Sequence, residues 1–258
     1  MAISAQERRA AIVQELLKGQ MVRVSDLSER FGVSEVSIRR DLSKLEEEGL
    51  LKRVHGGAAS IDGAVGRTFQ HKMLQRAAEK ERIGQAAARL ITSGESIILD
   101  SGTTPLYIAR HIASGRVNVS NLTVITASRP VFQELALRRD IHLIILGGIY
   151  LPEYESLIGP LTVANLSRIH ANKFFMGADG LSFQSGATTA NLLEAEVTRA
   201  MIQAAEEVIV VADSSKIGFI GFTPVIPLES IDKLITDVEA SAEFLEELRR
   251  KGVEVILA

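Results

Sequence analysis

The chain has no cysteine, which rules out disulfides and thiolate-bound metals, and with them the secreted disulfide scaffolds. It has no excess of positive charge. Over 258 residues the formal net charge is −3, so bulk electrostatics gives no attraction to a polyanion, and contact with nucleic acid has to come from a local basic face. No run reaches the roughly 18 apolar residues of a membrane-spanning helix. The opening residues, MAISAQERRAAIVQELLKGQ, carry charges throughout and lack the apolar centre of a secretory signal. A soluble, cytoplasmic protein with no membrane partner is expected. The five histidines, His55, His71, His111, His142 and His170, are scattered without ligand spacing, so no metal site is expected. There is no internal repeat and no low-complexity tract, and 46% apolar residues suffice for packed cores.

The pattern changes near residue 56. Before it, short amphipathic segments are separated by two or three residues; after it, apolar β-rich runs alternate with helical ones. HGGAASIDGAVGRT (residues 55–68), rich in Gly and Ala, lies between them. The expected division is a first domain over 1–57, a linker over 58–72 and a second domain over 73–258. In the first, Ile12, Leu16 and Leu17 give one face to a helix over 5–17, with Gly19 as its stop. Ser25 is expected to cap a second helix that buries Leu27 and Phe31 and stops at Gly32. Ser34 caps a third, whose inner face is Ile38, Leu42 and Leu45 and which ends near Gly49. LLKRV then forms a strand, and HGG turns it into a wing. Together these describe a winged helix-turn-helix.

The third helix presents Ser37, Arg40 and Lys44 outward, with Ser34 and Arg39 alongside. Arginine and lysine reach phosphates and base edges in a major groove, and the first turns of the last helix of a helix-turn-helix are where such side chains belong. An arginine pair on a surface helix can also simply solvate it or pair with Glu35, Asp41 and Glu46; position in the motif favours DNA. Arg53 and His55 on the wing complete the candidate DNA-binding set. Charges within residues 1–57 balance to only slightly positive, so one module binds weakly by electrostatics alone. A homo-oligomer, dimer or tetramer, on double-stranded operator DNA is expected.

In the second domain SIILD, LTVIT, HLIIL, KFFMG, EVIVVAD, KLITD and VEVILA read as buried strands. Amphipathic stretches over 79–91, 105–113, 130–137, 190–204 and 240–251 read as helices. Such alternation means an α/β fold, a Rossmann-like, mostly parallel sheet covered on both faces, with ligands at the strand carboxyl ends. Polar residues gather at those ends. Asp100, Ser101, Gly102, Thr103 and Thr104 close one strand and open a helix, as a phosphate-binding turn would. Each of these residues, and each of those that follow at the same edge, can equally be a helix cap or turn residue, and Lys216 a solvated loop lysine. Thr126 and Ser128, Gly148, Asp179 and Gly180, Glu194 and Lys216 follow at the same edge. The lysine could neutralise a phosphate, and the carboxylates could accept from sugar hydroxyls.

RFGVSEVSIRRDLSKLEEEGLLKRVHGGA (30–58) resembles the DNA-binding signature of the DeoR family of bacterial transcriptional regulators, with its Ser-x-Arg-Arg-Asp pattern at Ser37 to Asp41. LDSGTT, GADG, EAEV, DSSKIG and LITD resemble landmarks of that family's effector domain, in the same order. The resemblance covers nearly the whole chain. It implies a regulator, usually a repressor, of a carbohydrate-metabolism operon, whose second domain binds a phosphorylated sugar and no cofactor. Ala127 stands where the family commonly has Asn.

The same effector fold is similar to that of ribose-5-phosphate isomerase, which makes an enzyme the rival reading. That chemistry takes a carboxylate base and a nearby lysine to stabilise an enediolate. Gly177 to Asp179 and Glu194 match the acidic part. Residues 180–194, GLSFQSGATTANLLE, contain neither lysine nor arginine, so the developing negative charge lacks its cation there unless Lys216 from another loop substitutes. Binding without turnover is therefore expected.

Overall fold

The computed structural model describes residues 4–18, 21–47, 50–59 and 69–258. The chain divides into two compact units, Met1–Gln75 and Arg76–Ala258.

The first unit contains helix α1 (Ala5–Lys18), strand β1 (Met21–Arg23), helices α2 (Val24–Phe31) and α3 (Glu35–Glu47), strands β2 (Lys52–Val54) and β3 (Gly57–Ala59) and helix α4 (Phe69–Leu74). Ile12, Leu16, Leu27, Ile38, Leu42 and Leu45 meet in one core, because each lies on the inner stripe of its helix. The Leu17 side chain, Gly19 and Gly49 fall outside the described residues. Gly32 ends α2 at φ 63°, the left-handed conformation that glycine enters without strain. Ser25 does not cap α2. The cap position falls two residues earlier, at Arg23, because Val24 is buried and its amide is satisfied by Gly56 O of the wing turn, while Ser25 Oγ bonds Asp26 in the first turn.

The wing is three-stranded, with β3 between β1 and β2, all antiparallel. Strand β1, only three residues long, carries one buried side chain and so leaves no periodic signal. Pairing continues through Ala59, past the expected domain end at 57, because Ala58 is a fully buried core residue. The remainder of the expected linker lies outside the described residues up to 68, and its last residues, from Phe69, are helical.

The second unit is built on seven strands, β4 (Ser96–Leu99), β5 (Thr123–Thr126), β6 (His142–Ile145), β9 (Ala171–Met176), β12 (Ala205–Val211), β14 (Lys233–Thr236) and β15 (Glu254–Leu257). Their order is β15-β14-β12-β9-β4-β5-β6, and every pair is parallel. Consecutive residues Ile97, Ile98 and Leu99 are all fully buried, as strands covered on both faces require. Helices α5 (Ala77–Ala88), α6 (Thr103–Ala113), α7 (Arg129–Leu135), α8 (Pro160–Leu166), α9 (Leu192–Gln203) and α10 (Ala242–Arg250) occupy the crossovers and the flanks. The chain starts in mid-sheet at β4, runs out to β6, then returns to β9 on the other side of β4 and continues to β15. The order therefore reverses between β4 and β9, the position at which an open α/β sheet leaves a crevice at its carboxyl edge.

Two antiparallel additions stand at that edge. Strands β7 (Ile149–Leu151) and β8 (Ser156–Ile158) form a hairpin; β10 (Gly180–Ser182), β11 (Gly186–Thr189) and β13 (Thr223–Ile226) form a small sheet.

Candidate functional site

In the first unit, α3 places Arg39, Arg40 and Lys44 in solvent and leaves Ser37 half-buried. Their settings differ. Arg39 is paired with Glu35 at 2.7 Å, one turn back on the same helix, whereas the charged ends of Arg40 and Lys44 make no hydrogen bond or ion pair among the described residues. Ser34 Oγ accepts from the Ser37 amide and lies 3.1 Å from Ser37 Oγ, so both hydroxyls sit at the start of the helix. His55 is exposed at the wing tip. Arg53 is engaged internally: its guanidinium donates to Gly57 O, Arg39 O and Ser43 Oγ, tying the wing to α3. Asp41 is buried and gripped by Arg8 at 2.6 Å and Arg9 at 3.5 Å, so the acid of the Ser-x-Arg-Arg-Asp run fastens α3 to α1.

In the second unit the polar residues converge at the carboxyl edge in the order of their strands. Asp100, after β4, accepts from its neighbour Ser101 N and, through Oδ2, from Gly177 N after β9 at 3.0 Å. One carboxylate thus bridges the two loops at the switch point. Gly102 is the N-cap of α6, with Thr103 and Thr104 buried in its first turn. Asp179 Oδ2 accepts from Ala190 N and Thr189 Oγ1, holding the segment that leads to Glu194 in the first turn of α9. Lys216 ends a 3₁₀ turn after β12, and Gly218 N just beyond it donates to Leu181 O of β10. Half-buried, the Lys216 ammonium makes no hydrogen bond or ion pair among the described residues.

Other candidates serve the fold. Thr126 Oγ1 donates to Leu99 O and accepts from Ser128 N, while Ser128 Oγ caps α7 by accepting from Val131 N. Gly148 and Gly180 stand where backbone approaches closely: a side chain would collide with Thr162 at the first and with the Phe219 carbonyl at the second.

Arg76 carries no local sequence signal, yet it joins this edge. Its guanidinium donates to Ser214 Oγ at 2.9 Å, Asp237 at 3.4 Å and Glu239 at 2.6 Å, beside Glu79 and Asp213. The Glu239 bond raises its pKa. Burial alone would favour neutral Asp237, but the Ser214 and Glu239 amides and the Arg76 charge hold its pKa below the ordinary value. The partners of Arg76 are far apart in sequence, so only the folded sheet brings them together. Arg129 and Glu155, also at this edge, escape sequence reading for the same reason.

Known proteins supply the remaining evidence. The DeoR-like helix-turn-helix domain model matches residues 8–64, and the DeoR C terminal sensor domain model matches residues 75–238. The chain belongs to the DeoR family. This DeoR-family chain is 36% identical over 250 residues to the HTH-type transcriptional regulator YulB of Bacillus subtilis (strain 168), covering 96% of this chain and 95% of that one. It is 34% identical over 254 residues to the HTH-type transcriptional repressor GlcR of the same organism, with 98% and 96% covered. Among solved structures it is similar to a D-ribose-5-phosphate isomerase in complex with phospho-erythronic acid, at a TM-score of 0.40 and 17% identity over 54% of this chain and 52% of that one. The DeoR-family chain is a DNA-binding transcriptional regulator: its α3 is the second helix of the helix-turn-helix, and its parallel sheet is the sensor domain.

Proposed function

We propose that the chain represses a carbohydrate-metabolism operon and that a phosphorylated sugar, bound at the carboxyl edge of the sensor sheet, modulates its hold on operator DNA. The observation that carries this reading is the Asp100–Gly177 bridge at the switch point. It fixes a hydroxyl-lined helix start, Ser101 to Thr104, beside Asp179 and within the edge that carries Lys216. Such a site offers amides and a cation to a phosphate, and carboxylates to sugar hydroxyls.

Binding without turnover is favoured over isomerisation because the acidic segment from Gly180 to Glu194 carries no cation of its own, and Asp179 Oδ2 is engaged by Ala190 N and Thr189 Oγ1. No cofactor takes part in this reading. The protein acts in the cytoplasm as a homo-oligomer, since one slightly basic module supplies few phosphate contacts. Among the described residues no helix is long and apolar enough to cross a membrane.

The test is a single variant. Lys216→Ala retains operator affinity and loses its response to glucose 6-phosphate, fructose 6-phosphate or ribose 5-phosphate, whichever acts on the unaltered chain. A Lys216→Ala protein that responds at the same ligand concentration removes Lys216 from the site.

A further inference from the structure

The β7–β8 hairpin is fastened across the loops that follow β4 and β5. Ser156 Oγ lies 2.9 Å from Ser101 Oγ, Leu157 N donates to Ala127 O at 2.8 Å, and Arg129 N donates to Glu155 O at 2.9 Å. Glu155, the residue before β8, is 6% exposed and has φ 55°. A residue with a Cβ enters that left-handed region at a steric cost, and such strain persists only where the surroundings impose it. Here the hairpin turn holds it through the bonds of Glu155 N to Pro152 O and of Arg129 N to Glu155 O, and the carboxylate adds a further restraint, accepting from Arg129 Nε at 2.5 Å and from the Tyr150 hydroxyl. The same carboxylate raises the pKa of both donors.

Arg129 is well placed for another partner. It follows β5, which pairs directly with β4 and its DSGTT loop, whereas Lys216 follows β12, separated from β4 by β9. With neighbouring strands about 4.8 Å apart, an anion at the start of α6 lies one strand from the Arg129 loop and two from the Lys216 loop. The Arg129 side chain remains 43% exposed despite its ion pair.

We propose that Glu155 occupies on Arg129 the place that the ligand's phosphoryl group takes, so that binding exchanges one anion for the other and frees the hairpin turn. This rests on the sugar-phosphate reading above. Carboxylate and phosphate both match the planar guanidinium fork, and phosphate brings more charge and more acceptors. The exchange removes the side-chain restraint on a turn that already holds Glu155 in the left-handed region, which makes the β7–β8 hairpin the element that moves.

Isothermal titration of the full chain with glucose 6-phosphate, fructose 6-phosphate, ribose 5-phosphate and inorganic phosphate tests the exchange. Glu155→Gln, which removes the competing charge at nearly constant size, binds the active phosphorylated probe about tenfold more tightly than the unaltered chain, equivalent to about 1.4 kcal/mol. Arg129→Gln binds it at least about tenfold more weakly, and Arg129→Lys falls between. A merely structural ion pair predicts the opposite sign for Glu155→Gln. In the unaltered chain the same probe accelerates amide hydrogen exchange over residues 154–157, a readout that needs no variant to fold. An unaltered chain that binds none of the four probes contradicts the sugar-phosphate reading itself. An unaltered chain that binds while Glu155→Gln is no tighter, or while exchange over 154–157 is unchanged or slowed, overturns the exchange alone.

Discussion

Arg39 and Arg40 are adjacent in sequence and differ in what the fold leaves them free to do. Arg39 is held by Glu35 on its own helix; Arg40 is exposed, with its charge unpaired among the described residues. Arg40→Ala accordingly costs operator binding about 1–3 kcal/mol while ligand binding is retained, as an anisotropy titration and a calorimetric titration measure separately. Asp41 behaves differently although it belongs to the same run. Removing it leaves Arg8 and Arg9 without their acid in a buried setting, so Asp41→Ala destabilises the first unit by about 3 kcal/mol, read as a shift in the urea midpoint. The outward face of α3 was legible in the sequence because helical spacing alone orients it. The helix-cap alternative at Ser128 is the role it takes at α7, but the internal employment of Arg53 and Thr126 was not legible. Their partners include Arg39 O and Leu99 O, backbone atoms that no side-chain pattern announces.

Among the elements, the seven strands of the sensor sheet were legible from their apolar runs, although only the inner strands are buried on both faces and the edge strand β6 leaves Ile144 and Ile145 exposed. The short antiparallel pieces were not. Strands β7, β8 and β10 have three residues each, too few for an alternation to declare itself. Their positions depend on close contacts instead. Gly180→Ala drives a methyl group into the Phe219 carbonyl and destabilises the second unit by about 1–3 kcal/mol; an unchanged urea midpoint would show that the loop yields freely. The loops after β12 and β14 are joined through Asp237. Its folded pKa lies below the ordinary value, so its carboxylate contributes stability that is fully present above the unfolded pKa and is lost as pH falls through the folded one. The melting temperature therefore falls on acidification below about pH 4. Asp237→Asn lowers it at pH 7 and makes the acid limb shallower.

At the scale of the whole molecule, regulation requires a ligand with different affinities for two arrangements of the protein. Two copies reading repeated half-sites must hold their α3 helices about one helical turn of DNA apart, roughly 34 Å, or a multiple of it. A change in that separation weakens binding without altering either reading face. The measurement that addresses this most directly is fluorescence anisotropy of the full chain on DNA from upstream of its own gene and its neighbours, at fixed salt. It is repeated with glucose 6-phosphate, fructose 6-phosphate, ribose 5-phosphate and the matching free sugars. Saturable, sequence-selective binding that one phosphorylated sugar shifts and its free sugar leaves unchanged is the predicted result. Selective binding that none of these sugars alters, or no selective binding at all, would contradict a sugar-phosphate-responsive regulator.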